Sequence, residues 1–410
     1  MKFVIINQPL NNRGDESAHR GLVNRLLLEF PKCSIDVLFV GCNQNSVDQF
    51  AVNDKRVRYI NIATKNGFYK LVIDWGFKKG ITPLIKLHST SRAVIKVMKN
   101  ADVVICAPGG ICMGGFQNWS HIFQLHLAKM LNKPIAYYGR SFGPFPTVTK
   151  ENRHFKAISE ELLNYMQFIS IRDTKTEDIA KEMNVKYRYT VDSAFLRPVK
   201  VEVPQAITDI IKDNKYFVFV PNLLIWHYAY KGRISKDTVI DYFSRILDIA
   251  CKQYPEHKII MLPQTFNYKT YNGDDIHFFN DLAAHVNNDN LHVIPDIYSS
   301  DIQQTIISGA ECMIGARYHS VVFALNNNTP FVALSYEHKI SGLLDRLGKT
   351  DCMIDITKAL DCEENITASV KEFESVFSSI KKDEKAMNEA RNIASCCMEE
   401  FKNWAKSYKI

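Results

Sequence analysis

Apolar residues in this chain fall into short unbroken runs, separated by longer stretches in which they recur every third or fourth position. Unbroken runs bounded by turn residues fit strands buried on both faces, and the longer spacing fits helices with one buried side. The runs predict strands near 3–7, 36–40, 57–61, 102–106, 134–138 and 168–171, then near 216–220, 258–262, 291–295, 312–314 and 331–334. Helices are predicted over about 12–30, 320–326 and 340–347, the last one ended by Gly348. Strand and helix alternate, so the expected connections are βαβ units and the expected sheets are parallel. A chain of 410 residues can hold two such domains, each with its own core. The proline-flanked stretch 198–204 reads as the linker. The expected domains are therefore 1–198 and 199–410, with the C-terminal helix packing back.

Open α/β sheets bind ligands outside the carboxyl ends of their strands, so the strand-end turns carry the functional argument. The most informative one is Gly315-Ala316-Arg317-Tyr318-His319, between a strand and the helix over 320–326. Backbone N–H groups at a helix start attract anions, and Arg317 adds a planar fork suited to phosphate or carboxylate. His319 can give or take a proton near neutral pH. The next strand end, Leu334-Ser335-Tyr336-Glu337-His338-Lys339, puts a second cation, Lys339, on the same expected rim. Near the start, Asn12-Arg13-Gly14-Asp15-Glu16 opens the first long helix. Asp15 there suits an N-cap and equally suits a base facing a hydroxyl, and the two roles can coexist.

Three further strand ends complete the set. Asp102-Val103-Val104-Ile105-Cys106-Ala107-Pro108-Gly109-Gly110 ends in a glycine turn. Gly139-Arg140-Ser141-Phe142-Gly143-Pro144 and Arg172-Asp173 follow the next two strands, and Thr174 with Glu177 has capping-box spacing. Arg172 and Asp173 together suit an ion pair that steadies a turn.

The spaced pattern of Arg317-x-His319, Phe323-Ala324, Pro330, Leu334-x-Tyr336, Lys339, Gly342 and Leu347-Gly348 resembles the polysaccharide pyruvyl transferase family. So do the N-x-G-D-E-x-A opening from Asn12 to Ala18, the turns at Arg140 and Arg172, and Val191-Asp192-Ser193-Ala194-Phe195. The resemblance implies two Rossmann-like doubly wound domains facing across a cleft, the GT-B arrangement. It implies an enzyme that moves pyruvate from phosphoenolpyruvate onto two hydroxyls of a sugar, forming a ketal in surface or capsular polysaccharide synthesis. On that reading the second domain takes phosphoenolpyruvate, through Arg317 and Lys339 with Arg172 and Arg140. His319 is the catalytic acid and Asp15 the base, with Glu16 behind it. Asn12, Gly109, Gly110, His227 and Tyr228 are expected acceptor contacts, and Gln264 and Asn267 are further ones. Asp192 is expected to serve as a hinge. Many relatives have a third glycine where Pro108 stands and an acidic residue soon after. Residues 111–118 here contain no carboxylate, so a base in that loop does not carry over.

Composition adds the setting. No apolar run has the length of a membrane span, and the N-terminus does not read as a signal peptide. Ten scattered cysteines without C-x-x-C spacing, and histidines without ligand spacing, lead to an expectation of a cytoplasmic, metal-free protein. Phosphoenolpyruvate is then a co-substrate, and no cofactor is expected. Between Lys65 and Asn100, eight basic residues stand against Asp74 alone, a net +7 that equals the charge of the whole chain. Phe68, Tyr69, Trp75 and Phe77 are interleaved with them. No nucleic-acid motif accompanies this segment, which suits either an anionic membrane surface or a solvated helix face over a core. A sugar on a polyprenyl phosphate carrier would fit the first option. Two other functions fit parts of the pattern: a GT-B glycosyltransferase with Arg317 and Lys339 on a nucleotide-sugar diphosphate, and a silent scaffold.

Overall fold

The computed structural model describes residues 1–64, 68–227, 230–266, 274–295 and 298–408. The chain divides into two compact units. One is Met1–Leu10 with Ala18–Arg197 and Asn392–Ile410, the other Asn11–Ser17 with Pro198–Arg391.

The first unit is built on seven parallel strands: β1 (Lys2–Ile6), β2 (Ser34–Val40), β3 (Val57–Ile62), β4 (Val103–Cys106), β5 (Ile135–Tyr137), β6 (Phe168–Ile171) and β7 (Arg188–Tyr189). Their order is β3-β2-β1-β4-β5-β6-β7. The direction of winding reverses between β1 and β4, where Phe3 pairs with Val103 and Ile6 with Cys106. All four residues of β4 and of β6 are buried, as a sheet covered on both faces requires. Six of these strands coincide with apolar runs. β7 has two half-buried residues and leaves no apolar run to be read.

The second unit repeats the plan with β8 (Tyr216–Val220), β9 (Lys258–Met261), β10 (Leu291–Val293), β11 (Met313–Gly315), β12 (Phe331–Ser335) and β13 (Met353–Asp355), in the order β10-β9-β8-β11-β12-β13. All pairings are parallel. The reversal lies between β8 and β11, where Val220 pairs with Gly315. Ligands of doubly wound sheets bind at such a reversal. Asn222 follows β8, and Arg317 and His319 follow β11, so the most informative stretch of the sequence stands at the switch point.

Two segments cross a simple division at residue 198. The helix Arg13–Glu29 has its first turn in the second unit and the rest in the first. The last helix, Glu384–Lys406, joins the first unit from Asn392 onward. The reason is an apolar stripe at helical spacing, Ala394, Cys397, Met398, Phe401 and Ala405, all buried. The Phe401 ring lies 5.3 Å from Phe168, 5.6 Å from Tyr138 and 6.2 Å from Phe3, and Lys402 reaches Glu29 at 2.8 Å. Among the described residues no helix is long and apolar enough to cross a membrane.

Candidate active site

Strand β11 ends at Gly315, where an added Cβ would lie 2.2 Å from the Ser320 hydroxyl, so the turn needs glycine. Ser320 donates from its hydroxyl to the Arg317 carbonyl at 2.6 Å, which folds the turn into the helix Tyr318–Asn326. All nine residues of that helix are buried. Arg317 takes the N-cap position with an extended backbone, so its side chain leaves the helix start instead of capping it.

The guanidinium of Arg317 is anchored by a buried carboxylate and a hydroxyl. Its Nη2 pairs with Asp275 and donates to the Thr265 hydroxyl at 3.1 Å. Asp275 is almost fully buried and also accepts from the backbone N–H groups of Gln264 and Thr265 at 2.9 and 3.0 Å. A carboxylate fixed by two amides is a rigid anchor for a fork, because both partners of the ion pair are pre-oriented. The Trp226 ring lies below, 5.9 Å from the guanidinium carbon.

His319 is 8 % exposed, with the Tyr318 ring 5.0 Å and the Phe323 ring 6.4 Å away. A further neighbour comes from the far end of the chain. A Cβ placed on Gly14 would fall 1.8 Å from Cγ of His319 and 1.9 Å from Nδ1. Gly14 therefore packs directly on the imidazole.

That approach is made by the Asn11–Ser17 segment, which is tied down residue by residue. Arg13 N–H donates to the Gln264 carbonyl at 2.9 Å, Phe266 N–H donates to the Asn11 carbonyl at 3.1 Å, and Asn12 bridges Thr265. The Asn12 side chain accepts from Gly14 and Asp15 N–H at 2.7 and 3.3 Å, so Asn12 caps the helix. Glu16 pairs with Arg13 at 2.7 Å and accepts from Ser300 N–H at 3.3 Å, fully buried. Asp15, half-buried beside Gly14, is the first-turn carboxylate left nearer the surface.

On the neighbouring strand, β12 leads into the helix His338–Arg346, and Lys339 lies 3.0 Å from Glu337. Burial works to raise the Glu337 carboxyl, but the charge and hydrogen bond of Lys339, helped by His227 and His338, outweigh it and hold the group below the usual carboxylate range. His227 is buried against the Tyr336 ring at 5.3 Å, and burial lowers its proton affinity. The structure thus gathers Asn12, Asp15, Arg317, His319, Lys339 and His227 in the second unit. Tyr228 and Asn267 lie outside the described residues.

Arg140 and Arg172 belong to the first unit and do different work there. Arg140 is 1 % exposed and donates to the carbonyls of Gly110 at 3.0 Å, Asn7 at 3.1 Å and Ala107 at 2.8 Å, and to the Cys112 sulfur at 3.0 Å. Arg172 pairs with buried Asp192 and donates to the Gly109 carbonyl at 2.9 Å. Two buried guanidinium groups thereby clamp the Gly109-Gly110 turn at the first unit's own switch point. Asp173, not Thr174, is the N-cap of the following helix and accepts from Thr176 N–H at 2.8 Å.

Sequence reading missed two residues of the second unit's site, Asp275 and Asn222, and named Gln264 as an acceptor contact without tying it to Arg317. Asp275 begins a helix with no motif around it. Asn222 and Gln264 are buried at 0 % and 1 %, and the side-chain amide nitrogen of each has no hydrogen-bond partner among the described residues. The Asn222 amide orientation is set by Trp226 Nε1–H, which donates to its oxygen at 3.2 Å. Only the strand order, which sets the ends of β9 and β8 beside that of β11, connects them to Arg317.

Two doubly wound parallel sheets in one chain define a pair of Rossmann-like domains of the GT-B class. Solved structures agree: UDP-GlcNAc 2-epimerase from Neisseria meningitidis bound to UDP-GlcNAc superposes with a TM-score of 0.58 at 12% identity, covering 98% of this chain and 99% of that one. A UGT transferase from Siraitia grosvenorii in complex with UDP gives 0.56 at 11% identity, covering 99% of each. At such identities the likeness concerns the fold alone. The polysaccharide pyruvyl transferase family model matches residues 12–338, and the chain belongs to that family. It is also 22% identical over 387 residues to the amylovoran biosynthesis protein AmsJ of Erwinia amylovora, across 87% of this chain and 88% of that protein. The chain is a transferase of polysaccharide biosynthesis with a sugar or polysaccharide acceptor.

Proposed function

We propose that the enzyme transfers pyruvate from phosphoenolpyruvate to two hydroxyls of one sugar, closing a ketal, during synthesis of an exopolysaccharide or capsule. The observation that carries this reading is His319 seated against Gly14, with Asp15 next in the chain and Arg317 held by Asp275 on the same strand end. Phosphoenolpyruvate presents a phosphate and a carboxylate on a three-carbon frame and needs cations from more than one direction. Arg317 and Lys339, on adjacent strand ends, answer that need. The amide nitrogens of Asn222 and Gln264 are donors of the kind that would complete such a pocket.

The chemistry follows from the donor. His319 protonates the methylene carbon, and C2 becomes the electrophile. One sugar hydroxyl attacks C2 and gives up its proton, with Asp15 as the base. The C2–O bond to phosphate then breaks, the second hydroxyl closes the ring, and its proton leaves on the released phosphate. Acid–base assistance of this kind is worth about two to four orders of magnitude in rate, and charge stabilisation by Arg317 at least as much. No cofactor is required beyond the co-substrate. The acceptor is a sugar on a polyprenyl phosphate carrier, met at the cytoplasmic face of the membrane.

Thermal unfolding tests the donor. At about a hundred times its dissociation constant, phosphoenolpyruvate should stabilise the protein by about 2.7 kcal/mol, and Arg317→Ala should remove the shift. Stabilisation by UDP- or GDP-sugars in its place would reassign the site to nucleotide-sugar chemistry. His319→Ala should abolish acceptor-dependent phosphate release.

A further inference from the structure

The first unit carries a second feature that the transfer reaction does not use. A groove of about 550 Å³ lies where the helix Ser89–Lys99 meets the end of the helix Trp119–Met130. Lys86, Arg92, Lys96 and Lys99 line it over an apolar floor that includes Leu127 and Leu131. Arg92, Lys96 and Lys99 recur at helical spacing and so share one face. Among the described residues no carboxylate pairs with any of the four cations. By contrast, Lys78 in the same segment is neutralised by Asp74 at 3.2 Å and Glu151 at 2.8 Å.

The segment that supplies Lys86 to the groove exposes large apolar side chains. Leu87, next to Lys86, is 71 % exposed, Trp75 is 52 % exposed, and Leu71, Ile81 and Leu84 of the same stretch are also exposed. Lys79 lies over the Trp75 ring at 3.6 Å. Tyr69 and Phe77 turn inward to the core, and Lys65 lies outside the described residues. The basic segment therefore splits its aromatics between core and surface. It leaves large apolar side chains in water beside cations that no described carboxylate neutralises.

We infer that this face docks on an anionic membrane, with lipid phosphates in the Lys86–Arg92–Lys96–Lys99 groove and Leu87 and Trp75 entering the interfacial layer. Unpaired cations complement the headgroup charge, and exposed leucine and tryptophan gain by leaving water there. Solvated lysines alone would not account for the exposed leucines. The inference stands apart from the donor chemistry, because docking needs no turnover.

Co-sedimentation with vesicles decides it. The full chain should pellet with vesicles of equal parts phosphatidylglycerol and phosphatidylcholine, stay in solution with phosphatidylcholine alone, and be released by raised salt. Each near-surface cation is worth about fivefold in partition, so substituting glutamine for Lys86, Arg92, Lys96 and Lys99 together should weaken binding at least about tenfold. Leu87→Ser should weaken it a further few-fold, and unchanged unfolding temperatures would show both variants folded. Equal binding to neutral vesicles, or binding retained by the quadruple variant, overturns the proposal. Uptake of inorganic phosphate without vesicle binding would make the groove a soluble-anion site instead.

Discussion

The imidazole of His319 occupies the space that a side chain at Gly14 would need, with an ideal Cβ falling 1.8 Å from Cγ. Residues 305 positions apart in the chain are thereby packed in one unit. Gly14→Ala is expected to displace the ring by about an ångström, and misplacement of that size costs about 100-fold in kcat. Overpacking of this buried contact should also lower the unfolding temperature by a few degrees, partly offset because alanine is a better helix former than glycine. In a His319→Ala background the same substitution should add almost nothing, which a double-mutant cycle of phosphate-release rates would read.

Asp275 anchors Arg317 through an ion pair with its guanidinium. Asp275→Asn keeps the shape and removes the ion pair, so Arg317 loses its fixed direction. The KM for phosphoenolpyruvate should rise at least about tenfold, and stability should fall by as much as about 3–5 kcal/mol, because a buried ion pair loses one of its charges. Arg317→Lys should raise KM sharply with a smaller stability loss, since one ammonium cannot replace a planar fork.

Arg172 and Arg140 are expected to act on the Gly109-Gly110 turn and not on the donor. Arg172→Lys should lower the unfolding temperature while phosphoenolpyruvate still stabilises the protein in a thermal shift. Loss of donor-induced stabilisation in this variant, with the fold intact, would return Arg172 to the donor site.

Stability should also depend on His19. It is fully buried, with ring nitrogens 3.0 Å from Gln8 Oε1 and 2.9 Å from the Tyr59 hydroxyl. Burial, with Arg20 nearby, lowers its pKa to about 3. The unfolded chain therefore binds a proton at His19 between about pH 6.5 and pH 3 that the folded protein refuses. The contribution is present in full above the unfolded value and is lost as pH falls through that window, by an amount on the order of a few kcal/mol. Denaturant unfolding from pH 7 to pH 4 should show it, and His19→Gln should flatten that part of the profile.

Much of this was legible in the chain because parallel strands buried on both faces must be apolar throughout. Eleven predicted runs became β1 to β6 and β8 to β12, the edge strands β3 and β10 less buried than the rest, and the Arg317-x-His319 and Lys339 turns follow directly from two of them. What could not be read depends on strand order and on contacts between distant segments. Asp275 and Asn222 have no periodic or motif signal, Gln264 was legible only as a residue following a strand, and all three join Arg317 because β9, β8 and β11 lie side by side. Arg140 and Arg172 look like ligand cations at strand ends, yet the glycine turn beside them exposes carbonyls that take their hydrogen bonds. The sequence by itself determined the elements, the two-domain plan and the residue types at the second unit's rim, since these are local consequences of burial and turn chemistry. Tertiary structure alone decided which charges face one another and that Gly14 meets His319, because both depend on how the segments pack.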